Sequence, residues 1–190
     1  LSKTPSLADT CGIFSYLGEN IDFETDPEFT ITAYNALDEI TDNYSDTFWN
    51  YLPDEQALEA SLSYLDSSSY TLTGTASVID LGNAPLVNNN DNYDGSGTVT
   101  INNGRFRYNK VNPVDNSVFG PVSAFTASID MAFSSALLTD EDGVCYKVNV
   151  DGTCLPLTIS NITGANMRYG RLTLESTYGP ETEPLNVPIK

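Results

Sequence analysis

Phe29-Thr30-Ile31-Thr32-Ala33-Tyr34 alternates apolar and polar side chains, so Phe29, Ile31 and Ala33 share one face of an extended chain. Similar short runs lie on both sides. Upstream is Ile13-Phe14-Ser15-Tyr16-Leu17. Downstream come Phe48-Trp49-Asn50-Tyr51-Leu52, Tyr70-Thr71-Leu72-Thr73 and Ala76-Ser77-Val78-Ile79. Gly97-Thr98-Val99-Thr100-Ile101 leads through Asn102-Asn103-Gly104 to Arg105-Phe106-Arg107-Tyr108, a hairpin-like signal built on an Asn-Gly turn. Ala124 to Phe133 and Arg168 to Leu174 complete the strand signals. Helical spacing is confined to Asp54–Leu65, with Leu58, Leu62 and Leu65. That stretch also alternates, so the expectation is one short helix or turn leading into a strand. Many short strands separated by Gly, Pro, Asn and Asp predict an all-β sandwich with loop insertions.

The composition agrees with a packed domain and narrows its chemistry. The chain has 190 residues, 40% hydrophobic and 11% aromatic, so residues 1–190 are expected to form one module. It opens at Leu1 rather than Met, and is expected to be a segment of a larger surface protein. There is no histidine, which excludes Ser-His-Asp and Cys-His catalysis and His-ligated metals. The formal net charge is −18, which disfavours nucleic acid and anionic lipid as partners. No run is long enough to insert in a membrane as a helix. The charge is also uneven. No basic residue lies between Lys3 and Arg105, while 17 carboxylates run from Asp9 to Asp94. Such a surface calls for salt, bound cations or a basic neighbour.

Cys145 and Cys154 flank the turn-like Val150-Asp151-Gly152-Thr153 and are expected to form a disulfide in an oxidising compartment. The alternative is two free buried thiols. Cys11 is left over, either free or paired outside this segment.

Three acidic stretches are candidate Ca2+ sites. Asp140 and Asp142, in Asp140-Glu141-Asp142-Gly143, are oxygen ligands two residues apart before a glycine. Asn90, Asn92 and Asp94, followed by Gly95, occupy positions one, three, five and six of an EF-hand-like loop. Position twelve is then Ile101, which cannot ligate, so a calcium loop would need completion from elsewhere. The competing reading of both is a polar turn whose side chains bond their own backbone. Asp22, Glu24, Asp26 and Glu28 alternate, but Pro27 favours a charged loop over a strand.

Trp49 and Tyr51 are candidates for an aromatic platform that stacks sugar rings; against this, such a residue also suits a sandwich core. Arg105, Arg107 and Lys110 form a basic cluster expected to pair with the acidic half. With 26 carboxylates, some pair always meets glycosidase spacing. No signature singles one out, so no catalytic residue is assigned and no enzyme is expected.

Two segments carry a more specific resemblance. Thr32-Ala33-Tyr34-Asn35-Ala36 with Thr41-Asp42-Asn43-Tyr44 is similar to the second and third strands of bacterial immunoglobulin-like modules, with Leu37-Asp38-Glu39 where those have a turn glycine. Met167-Arg168-Tyr169-Gly170-Arg171-Leu172-Thr173-Leu174, continuing to Pro188, resembles a run in MshQ-type proteins of the mannose-sensitive haemagglutinin (type IV) pilus system. Cys11 to Gly18 and Leu138 to Val144 resemble other parts of that family, in the same order. Glu175-Ser176-Thr177 departs from it, and Asp54–Asn92 is the least similar region. The resemblance implies an immunoglobulin-like antiparallel β-sandwich with loop insertions, serving as a non-enzymatic, extracellular adhesion or structural module. Its partners would be other domains of the same chain and pilus or surface components. A calcium-dependent carbohydrate-binding module is the alternative, with glycans as ligands.

Overall fold

Alternating runs become strands here wherever one face can be buried. In chain order the strands are β1 (Ser6–Leu7), β2 (Ser15–Tyr16), β3 (Phe23–Thr25), β4 (Glu28–Thr32), β5 (Leu62–Asp66), β6 (Ile79–Leu81), β7 (Leu86–Asp91), β8 (Ser96–Asn102), β9 (Phe106–Tyr108), β10 (Phe125–Phe133) and β11 (Leu157–Arg168). A 3-10 turn at Asp46–Phe48 is the one helical element among the described residues. The computed structural model describes residues 1, 3–49, 62–68, 79–81, 86–102, 105–111, 117, 120–149 and 152–170.

The strands form a six-stranded sheet, β3-β1-β11-β10-β5 with β2 also on β11, a three-stranded sheet, β4-β8-β7, and the pair β6-β9. Pairing is antiparallel except where β1 and β2 join β11 in parallel. The fold is an all-β sandwich. Phe29 of β4 meets Phe133 of β10 edge-to-face, ring centroids 5.3 Å apart, across its interior. On β8, Gly97, Val99 and Ile101 point inward while their neighbours stay partly exposed. Ile129, Met131 and Phe133 of β10 are buried in the same cluster.

Tyr108 joins elements that are distant in sequence. It is fully buried, and its hydroxyl donates to Asp66 Oδ1 (2.9 Å), with the Ser128 carbonyl at 3.1 Å as a second acceptor within reach of the same proton. Burial, then the neighbouring Asp66 charge, raises its pKa above the ordinary tyrosine value, so the phenol stays protonated and can donate.

Several expectations need correction. The Asn-Gly signal does not join a hairpin of β8 and β9, because β8 pairs with β4 and β7 while β9 pairs with β6. Phe106 and Tyr108 of β9 are fully buried there, against β6 rather than β8. Phe48 lies in the 3-10 turn rather than in a strand. Leu62 and Leu65, helically spaced with Leu58, lie in β5. Of the strand expected at 168–174, Arg168 closes β11, which starts at Leu157, and Tyr169 and Gly170 lie past its end.

Asp22 to Glu28 is not a single charged loop. Glu24 lies in β3 and Glu28 in β4, with Asp26-Pro27 as the break. Its charge is relieved at both ends, by Lys3 Nζ to Glu28 (2.9 Å) and Arg105 Nε to Asp22 (3.9 Å). The Asn103-Gly104 turn, the 70–78 signals, the helical part of 54–61, Tyr51, and Arg171 onward lie outside the described residues.

Two outcomes test this packing. A Cβ at Gly97 would collide with the Trp49 indole, so Gly97→Ala should lower stability by about 1–3 kcal/mol in denaturant titration. Asp26 has a raised pKa, caused first by desolvation and second by Asp22, with Lys3 opposing. A raised carboxyl pKa means stability is lost as pH rises from the unfolded towards the folded value. Asp26→Asn should therefore raise the melting temperature at neutral pH, and the gain should vanish on acidification below both values. An equal gain at every pH contradicts the assignment.

Candidate functional site

Three loops that carry candidate residues are tied to one another. In the first, residues 33–49, Tyr34 and Ile40 form an antiparallel bridge, and Asn35 Oδ1 accepts from the N–H groups of Leu37 (2.8 Å) and Glu39 (3.1 Å). In the second, between β7 and β8, Asp91 Oδ1 accepts from Tyr93 N–H (2.8 Å) and Asp94 Oδ1 from Ser96 N–H (3.1 Å). In the third, residues 139–155, Asp140 Oδ1 accepts from Val144 N–H (2.7 Å). Asn35, Asp91, Asp94 and Asp140 each thus cap a turn by holding a backbone N–H that the turn leaves free.

The ties between loops use the same residues. Asp46 N–H donates to Asp91 Oδ2, and Ala33 N–H to the Gly95 carbonyl (2.9 Å). The Gly95 backbone lies so close to the Thr41 carbonyl that a side chain at 95 has no room. The Tyr44 hydroxyl donates to Asp140 Oδ2, linking the first loop to the third. The third loop is closed by the Cys145–Cys154 disulfide, Cα atoms 5.5 Å apart, and by Tyr146 N–H to the Leu138 carbonyl (2.8 Å).

Among the candidate Ca2+ ligands, Asp140 and Asp94 already hold turns, and Asn92 Nδ2 donates to Ser96 Oγ (3.0 Å). Asp142 follows Asp140 in the same turn, and Asn90 lies in β7 opposite Thr98. Among the described residues, no three Asp, Glu or Cys side chains converge as a cation cage. Trp49, read as half of a sugar platform, is instead 7% exposed. Its ring lies over Gly97 and against Tyr44, centroids 5.5 Å apart. A residue without a side chain on β8 leaves a hollow that only a large ring fills, so the indole face is not open to a pyranose.

The segments that carry the family resemblance meet in space. β2 pairs with the end of β11 through Ser15 with Met167 and Tyr16 with Arg168. The Arg168 guanidinium sits over the Phe14 ring at 4.4 Å, and Lys110 Nζ over Tyr169 at 4.9 Å. Cys11, exposed and free, sits beside Glu19, with its thiol 3.6 Å from Oε2. Glu19 has a lowered pKa, chiefly because Thr10 Oγ1 (2.6 Å) and then Tyr16 N–H (2.9 Å) donate to its carboxylate.

The Tyr44–Asp140 link and the Asp91 cap lie outside the motifs that the sequence singles out. Asp91, two residues before Tyr93, was available as a local turn signal. Nothing in the sequence pointed from Tyr44 to Asp140, 96 residues away.

The fold and loops define a disulfide-closed β-sandwich module with an acidic, turn-capped loop surface. Residues 1–161 match the model of the DUF6701 third domain, and the chain belongs to that family. No curated protein and no solved structure matches it. Among the described residues, no helix is long and apolar enough to cross a membrane.

The loop links carry a measurable consequence. Tyr44→Phe leaves the Asp140 carboxylate without that donor and should cost about 1–2 kcal/mol. The combined Tyr44→Phe, Asp140→Asn variant should lose less than the sum of the two single losses. Intact-mass alkylation should add one label without reductant and three after reduction. Reduction should lower stability by about 2–3 kcal/mol, the loop-closure value for a crosslink of this span.

Proposed function

We propose that this chain is a non-enzymatic structural or adhesive module of an extracellular, pilus-associated protein, with an immunoglobulin-like sandwich as its scaffold. The Cys145–Cys154 disulfide carries the reading, because such crosslinks persist where thiols are oxidised, outside the cytosol. The family description as a third domain supports a place in a series of domains on one chain. The resemblance to MshQ-type proteins supports the pilus association. The contact between Cys11–Gly18 and Met167–Gly170 makes two of its segments parts of one structural feature. The lack of histidine supports a role without imidazole-based catalysis.

Antibody raised against the module, applied to intact cells that express the full-length protein, should label the surface. Labelling should fall in a strain that lacks the pilus. Label that appears only after permeabilisation contradicts the surface role, and label unchanged without the pilus contradicts the association. A glycan array with and without Ca2+ separates the alternative: calcium-dependent hits would replace structural display with a lectin function.

A further inference from the structure

Among the described residues, seven large apolar side chains are 64% exposed or more, and five of them, Leu37, Phe48, Tyr93, Val144 and Val148, lie on the three joined loops. Isolated exposed apolar groups are ordinary; their concentration on linked loops is not. These loops are also held in shape. Side-chain caps close each turn, Asp46–Asp91 and Tyr44–Asp140 bond across them, and a disulfide closes the third. A pre-shaped surface binds without a large ordering cost.

The charge selects the occupant. Among the described residues, the three loops carry nine carboxylates and a single cation, Lys147. Phosphate backbones and anionic lipids are repelled. A second copy offering the same face would bring like charges together. Neutral glycans gain nothing from the carboxylates, and the indole that would stack a sugar is buried.

We infer that the loops 33–49, 91–96 and 139–149 form a docking surface for a basic protein segment, one that seats apolar side chains on Leu37, Phe48, Tyr93, Val144 and Val148 while its lysines or arginines face the surrounding carboxylates. The surface is defined by its own residues and does not depend on association with a pilus. Apolar contact supplies affinity at the centre, and the carboxylates supply attraction and selectivity around it.

A random peptide library displayed on phage, selected against the folded domain, tests this. Selected peptides should be enriched in Lys or Arg together with Leu, Phe, Tyr or Trp, and their binding should weaken as salt rises. Synthesised singly, they should bind Leu37→Ser and Phe48→Ser at least about tenfold more weakly than wild type. Asp38→Asn with Glu141→Gln should reduce the salt dependence. All these positions are exposed, and circular dichroism of each variant verifies folding. Failure to enrich any peptide, enrichment without basic residues, or binding unchanged in both apolar variants overturns the proposal. Sedimentation velocity adds one further arm: a dimer that disappears in Leu37→Ser would assign the surface to a second copy instead and likewise overturn it.

Discussion

The contact of Trp49 with Gly97 decides how the acidic loops are arranged. Gly97 faces inward on β8, where alternation demands a core side chain, and has none. The indole fills that space from above, so the chain from Thr41 to Trp49 has to descend onto the sheet. Tyr44 then lies against the indole and reaches Asp140, while Asp46 reaches Asp91. A single large-to-small complementarity in the core thereby brings three loops, far apart in sequence, into one surface.

The −18 charge takes on a structural meaning in this arrangement. Part of it is absorbed locally: Asp91, Asp94 and Asp140 spend oxygens on backbone N–H groups, and Lys3 and Arg105 reach back to Glu28 and Asp22. Carboxylates used this way are structural, which separates an acidic sequence from a cation cage. Asp38 and Glu141 remain exposed, and they give the loop surface its field.

Local physics was readable in advance and long-range partnership was not. β4 and β10 appear in the sequence as alternating runs because one face of each is buried. The cysteine pair was readable because nine residues and a turn bring the two ends together. β11 was missed from Leu157 to Met167 for a definite reason. Its buried residues Ile159, Ile162, Ala165 and Met167 are spaced three, three and two apart, because register shifts interrupt its pairing with β10. Asn161, at φ 58°, sits at one of these, where Asp130 Oδ1 accepts its N–H at 2.8 Å. A period of two cannot be recognised through two bulges. Trp49 was readable as a large ring suited either to a core or to a sugar. The choice rests on a glycine 48 residues later, on a strand whose position the local sequence does not state.

Since the chain has a single tryptophan, the contact that organises the loops can be observed without ambiguity. A nuclear Overhauser spectrum of the folded domain should show strong cross-peaks from the Trp49 ring protons at Cζ2 and Cη2 to the Gly97 Hα protons, with those Hα signals moved upfield by the ring current. Ring signals at unfolded-chain positions, with no cross-peak to Gly97, would contradict the account.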